Sequence, residues 1–290
     1  MAVKVITDST SYIPRPLRAE FDLGVVSLSS LLDGATFADD AEDYEPFYTA
    51  LAASRAMPTT SQPSVQDLVD LIGDRVAAGH EVVGVFISQQ MSGTYSTALL
   101  ARDMVLEQHP DAIVEVLDGE SNSMELGFAA LAAARAAADG KGVAEVLEAA
   151  RDVMARTRFL FVPATLEYLR RGGRIGNAAA LVGALLQVKP ILTVKDGVTD
   201  VFGKVRTQRK AIETIIDAVV ADAREKGDLT DVVVHHIHDE AAGRDLADRL
   251  EARLGRTVDM CPIGPAIGAH VGPGAVAVVY QTVLPMRKSG

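Results

Sequence analysis

Along the chain, short β-branched runs alternate with segments in which apolar residues recur every three or four positions. Val3–Thr7, Val82–Ile87, Ile113–Leu117, Phe159–Val162, Val232–His236 and Ala275–Tyr280 are predicted strands. Between them, Val65, Leu68, Val69, Ile72 and Val76 fall on one helical face, behind Ser64 as N-cap with Asp67 three residues on. Ile212, Ile215, Ile216, Val219 and Val220 repeat that spacing, and Leu246, Leu250 and Leu254 form a further stripe. Strand–helix alternation of this kind predicts an α/β fold, with a mostly parallel sheet in the first half.

Ala-rich helices are expected from about Ser123 to Asp139 and from Val143 to Thr157. The pattern then changes. Lys189–Lys195 and Val198–Lys204 flank Asp196-Gly197, a hairpin signal because glycine tolerates the positive φ of a tight turn. A hairpin implies a second, mixed sheet. Two α/β domains are therefore expected, at residues 1–157 and 158–290.

Composition adds bounds. The 290 residues are 48% hydrophobic and 23% charged, which is ordinary for a globular chain. A net charge of −11 leaves no general basic excess to displace counterions from nucleic acid, so none is expected as a partner. One cysteine, Cys261, permits no intramolecular disulfide. The N-terminus lacks an apolar core of signal-peptide length, and no apolar run approaches the roughly 20 residues of a membrane span. A soluble, cytoplasmic protein is expected.

Four polar clusters are candidates for chemistry. Thr60 and Ser61 precede the helix that Ser64 caps; hydroxyls there are ordinarily caps, but they also offer neutral donors to an anion. Ser92-Gly93-Thr94 lies between a strand and a helix, where free N–H groups and the positive dipole end suit a carboxylate or phosphate. Gly93 there would let a ligand approach the backbone closely. His270 sits in a stretch punctuated by Gly264-Pro265 and Gly272-Pro273, read as a tight loop; such a histidine is more often structural than catalytic, but it can donate to a carboxylate. Arg170, Arg171 and Arg174, with Lys204, Arg206, Arg209 and Lys210, concentrate positive charge on an acidic chain, either as a solvated face or as a docking surface for an anionic partner.

Other chemistries lack their signatures. His235, His236 and His238 have no accompanying cysteine or carboxylate at zinc spacing, so no metal is expected. There is no G-x-G-x-x-G after the first strand, no Walker loop and no G-x-S-x-G elbow.

Taken together, the segments Ile6–Pro14, Thr60–Ser64, Ile87–Ala98, Thr165–Gly176, Lys189–Gly197, Lys204–Ala211 and Ile263–Ala275 resemble the DegV family, the fatty-acid-binding subunits of bacterial fatty-acid kinase. The resemblance implies two domains with a long-chain fatty acid between them, its tail in an apolar tunnel and no other cofactor. It implies that Thr60, Ser92, the Gly93 backbone and His270 hold the carboxylate, with Ser61 and Thr94 as neighbours. Arg170, Arg174 and Arg206 would lie where a separate kinase subunit docks to phosphorylate the carboxylate with ATP; this chain itself would carry no catalytic residue. A transient membrane contact is left open. The chain departs from the family pattern at Gly119, commonly Ser, and at Glu125, commonly a small Gly.

The physics is compatible with such a carrier. A buried carboxylate must have its hydrogen bonds met, and hydroxyls, helix-start N–H groups and an imidazole can meet them. A sixteen-carbon tail offers about 10 kcal/mol gross, at roughly 0.8 kcal/mol per buried CH₂, against ordering and association costs. The alternatives are a stand-alone acyl hydrolase or transferase using Ser92 with His270 as base, or a lipid-sensing interaction module.

Overall fold

The computed structural model describes residues 2–182 and 188–286. Its first part contains strands β1 (Val3–Asp8), β2 (Gly24–Val26), β3 (Ser29–Leu32), β4 (Ala35–Ala38), β5 (Thr59–Ser61), β6 (Glu81–Phe86) and β7 (Val114–Asp118). These are interleaved with helices α1 (Arg15–Glu20), α2 (Glu45–Ala53), α3 (Val65–Ala77), α4 (Thr94–Gln108), α5 (Ser123–Ala138) and α6 (Val143–Arg156). The second part contains β8 (Thr157–Val162), α7 (Glu167–Arg171), β9 (Lys189–Lys195), β10 (Val198–Val205) and α8 (Gln208–Glu225). It ends with β11 (Leu229–His236), α9 (Glu240–Leu254), β12 (Asp259–Pro262), α10 (Pro265–Val271) and β13 (Val276–Thr282).

The expected fold class is observed: two α/β domains, the first with a parallel sheet and the second with a mixed one. The first sheet has the order β2-β1-β6-β7 with every pair parallel. The second has the order β10-β9-β8-β13-β11-β12, antiparallel except for β11–β12. The β9–β10 hairpin turns at Asp196 (φ 51°) and Gly197 (φ 79°), both left-handed as a two-residue type I′ turn requires. Ser64 caps α3 through the Asp67 N–H, and the Asp67 carboxylate returns the bond to the Ser64 N–H.

A third, small sheet, β4-β3-β5, was not expected from the sequence. Its strands have three or four residues, too short for alternation to register, and Thr59–Ser61 reads as a cap region although it is β5. A second difference lies at Pro265–Val271, expected as a loop and observed as helix α10. Pro265 starts that helix and Gly272 (φ 84°) ends it, so the Gly-Pro steps are its boundaries rather than signs of irregular chain.

Helix α5 explains how the parts are joined. Its small side chains let it be buried on nearly every face, and it packs on both large sheets. Val5, Val83 and Val85 of the first sheet and Phe161, Ala277 and Val279 of the second meet around α5 and α6 in one continuous core. Helices α8 and α9 cover the outer face of the second sheet. The cleft between the sheets is bordered by Leu28 just before β3, by Thr60 of β5 and by α10.

Candidate ligand-binding site

One cavity opens between the two large sheets, with about 800 Å³ of empty space when the open solvent at its mouth is included. Its lining is mainly apolar: Leu28, Ile87, Phe159, Phe161, Val194 and Ile267 are among the side chains involved. Thr60, Ser92, Arg174 and His270 also line it, so residues from β5, the β6–α4 turn, the segment after α7 and α10 converge on one space.

Thr60 and His270 touch directly, with Thr60 Oγ1 2.9 Å from His270 Nε2. His270 Nδ1 is buried against Gly172, where even one added carbon would come within 2.3 Å of it, and Nδ1 has no hydrogen-bond partner. A buried N–H without a partner costs more than an empty lone pair, so the proton belongs on Nε2. Nε2–H then donates to Thr60, leaving the Thr60 hydroxyl proton free to point at a ligand. Burial, reinforced by the nearby Arg174 charge, pushes the His270 pKa down to about 4. The imidazole is therefore neutral at neutral pH.

Arg174 was expected on a docking surface, whereas it is half-buried and lines the cavity. Its Nε donates to the Met91 carbonyl at 3.0 Å and its Nη1 to the Gly172 carbonyl at 2.5 Å, while Thr199 Oγ1 donates to its own carbonyl at 2.8 Å. Among the described residues no carboxylate pairs with it. Its full charge is thus turned toward the cavity and uncompensated, which favours an anion. Arg170 and Arg206 are exposed, and Arg170 is held by Glu167 on the same helix turn.

The remaining candidates fall around the cavity without lining it. Ser61 follows Thr60 along β5 and is exposed on the opposite face, as strand alternation dictates. Thr94 is fully buried with Oγ1 2.9 Å from Ser92 Oγ, orienting that hydroxyl. Gly93 does approach something closely, but it is the Gln62 side chain, whose Oε1 lies 2.0 Å from where a Cβ would be. Ser92 Oγ bonds Thr94 and His270 bonds Thr60, so no serine–histidine pair exists. The histidines near the end of β11 are separated: His235 faces the cavity, and His238 stacks on Tyr48 at 5.0 Å. Among the described residues no three ligating side chains cluster to hold a metal.

Sequence reasoning missed what holds α10 in place. Asp39, fully buried at the end of the small sheet, accepts from the Ala266 N–H at 2.8 Å, from Ser9 Oγ at 2.7 Å and from Tyr12 Oη at 3.0 Å. Tyr48 Oη donates to the Ile263 carbonyl at 2.7 Å. These contacts grip the helix carrying His270. Burial raises Asp39 to a pKa of about 6 despite its three donors, and Asp8, bonded to Thr10 and the Ile87 N–H, likewise to about 6.

Gly119 and Glu125, the two positions expected to depart from the family pattern, are both internal. A side chain at Gly119 would meet Leu126 Cδ1 at 2.5 Å and the Phe86 carbonyl oxygen at 2.8 Å. Glu125 is buried in the first turn of α5, where Ser121 Oγ donates to it.

Among the described residues no helix is long and apolar enough to cross a membrane. The family model described as "Uncharacterised protein, DegV family" matches residues 2–283. A DegV domain-containing protein of Clostridium acetobutylicum is 46% identical over 287 residues, covering 99% of this chain and 100% of its own. Among solved structures, a stearic-acid-binding protein of Eubacterium ventriosum superposes with a TM-score of 0.87 at 27% identity, covering 96% of this chain and 98% of its own. DegV of Bacillus subtilis, described as a fatty-acid-binding protein, gives 0.85 at 30% identity over 97% of this chain and 99% of its own. The chain belongs to the DegV family.

Proposed function

We propose that this protein binds one long-chain fatty acid, with the carboxylate among Thr60, Ser92, His270 and Arg174 and the tail in the apolar part of the cavity. The observation that carries this is the unpaired Arg174 guanidinium beside neutral donors in a mainly apolar cavity. Structural relatives described as fatty-acid-binding proteins support the same reading. Thr94 acts on the carboxylate site through its bond to Ser92, with Ser61 and the Gly93 backbone beside it. The cleft lies between domains that divide at residues 157 and 158.

The chain is a carrier in this reading. A separate kinase subunit docks over the cavity mouth near Arg170 and Arg206, with Arg174 joining the mouth to the site. The carboxylate oxygen attacks the γ-phosphorus of ATP, the acyl–phosphate bond forms, the β–γ bond breaks and ADP leaves.

Organic extraction and mass spectrometry of natively purified protein tests the binding: about one long-chain acid per chain is expected, with less retained in Ser92→Ala. Protein that carries no lipid and takes up neither palmitate nor oleate would rule the reading out. Presentation is tested with a cognate kinase, where Arg170→Glu and Arg206→Glu should abolish acyl-phosphate formation while leaving lipid retention intact; unchanged turnover removes the docking surface.

A further inference from the structure

A second cavity lies beyond the first, and the His235 side chain, which lines the first, is bonded to residues that line the second. Met124, Phe128, Leu131, Val233 and Cys261 line one side of this second space, and Arg135, Asp231, Arg256, Thr257 and Asp259 line the other, solvent-facing side. His235 lines the first cavity. Its Nδ1 is 2.9 Å from the Cys261 carbonyl and its Nε2 accepts from the Met124 N–H at 3.3 Å, so both partners of its ring belong to residues of the second cavity. The ring is 1% exposed, and Tyr12 meets it edge-on with centroids 6.3 Å apart.

Strand register sets the direction. Thr199 on β10, Val194 on β9, Phe161 on β8, Ala277 on β13 and His235 on β11 all line the first cavity. Phe161, Ala277, His235 and Cys261 are directly opposite one another on successive strands. The floor therefore runs across the sheet through four strand spacings, roughly 19 Å, from the end tied to Arg174 up to His235. An acyl chain in one bilayer leaflet spans roughly 15 Å, half of a ~30 Å core. A chain of ordinary length fits before His235, and a longer one meets it. Cys261, the next position in the row, already belongs to the second space.

We propose that His235 is the chain-length stop of the acyl site, and that the second cavity is latent space for the distal end of longer acyl chains. This rests on the fatty-acid reading above. With Nδ1–H donating to Cys261 and Nε2 accepting from Met124, the ring has no polar atom left for solvent and presents only its carbon face to the tail. It closes the tunnel without placing an unsatisfied polar group at its end.

The test is a competition series of saturated acids from C14 to C26 against a fluorescent acyl probe. In the wild type, affinity should climb to about eighteen carbons and then stop climbing, as the chain reaches the end of the floor. His235→Ala should raise affinity for tetracosanoate relative to palmitate by about tenfold or more, what roughly two newly buried methylenes supply. His235→Leu, which refills the wall without its hydrogen bonds, should rank the chains as the wild type does. If His235→Ala ranks them as the wild type does, or if wild-type affinity keeps climbing through C24, the stop is disproved; the second measurement needs no variant to fold. A wild-type protein that binds no chain of any length removes the proposed function and this inference together, and is distinguishable from both.

Discussion

Thr60 Oγ1 lies 2.9 Å from His270 Nε2, although the two residues are 210 positions apart. Each comes from a short element that packs on the other: β5 of the small sheet and α10. The contact turns two ordinary side chains into one directed donor, because the imidazole supplies a proton to Thr60 and the hydroxyl proton is left to the ligand.

Thr60→Val should therefore weaken fatty-acid binding by about 10-fold, the scale of one net hydrogen bond to a charged acceptor. Thr60→Ser keeps the hydroxyl and should recover most of it. Isothermal titration with palmitate measures both, and a Thr60→Val protein that binds as the wild type does would exclude this hydroxyl from the site.

Gly172→Ala tests the other side of the same imidazole. The added methyl would come within 2.3 Å of His270 Nδ1 and must push the ring off Thr60. Ligand affinity is expected to fall while the urea midpoint moves little, since Gly172 lies at negative φ. Equal losses in both would mean that the methyl disrupts α7 rather than the site.

The buried ionisable groups give a signed prediction for pH. His235 and His270, both lowered to about 4, bind fewer protons folded than unfolded between pH 4 and 6.5, so each adds stability as pH rises through that window. Asp8 and Asp39, raised to about 6, bind more protons folded than unfolded between about pH 4 and 6, so each removes stability as pH rises. The two pairs oppose each other. Asp39→Asn removes one opposing group, so its stability should rise with pH more steeply than the wild type's, by up to about 1.4 kcal/mol per pH unit. Urea unfolding at pH 4, 5 and 6 reads the slope; parallel curves for the two proteins would show that Asp39 does not titrate there.

Gly197→Ala should lower stability by about 1–2 kcal/mol. The position has φ 79°, and a methyl would sit 2.7 Å from Ser88 Oγ, which donates to the Gly197 carbonyl and docks the hairpin turn on the first domain. Chemical denaturation measures it, and a neutral result would mean that the turn rearranges without cost.

Much of the framework was legible in the chain because it rests on local periodicity. The six long strands, the capped helix after Ser64 and the Asp196-Gly197 hairpin each carry their signal within a window of a dozen residues. The small sheet did not, because strands of three or four residues show no period and are held by neighbours remote in sequence. The same holds for α10, whose helix is short and built around glycine and proline.

At the site, the residue types at Thr60, Ser92 and His270 could be named from the sequence, since strand-to-helix turns with hydroxyls and a lone histidine are recognisable where they stand. Their meeting in one cavity was implied only by the family resemblance, not by the residues themselves, and neither the inward turn of Arg174 nor the grip of Asp39 on α10 could be read there. Those depend on which faces of distant elements pack together. Local pattern decides what each segment becomes; burial, charge pairing and the direction of each hydrogen bond are properties of surroundings that exist only once the sheets and α5 have closed around one core.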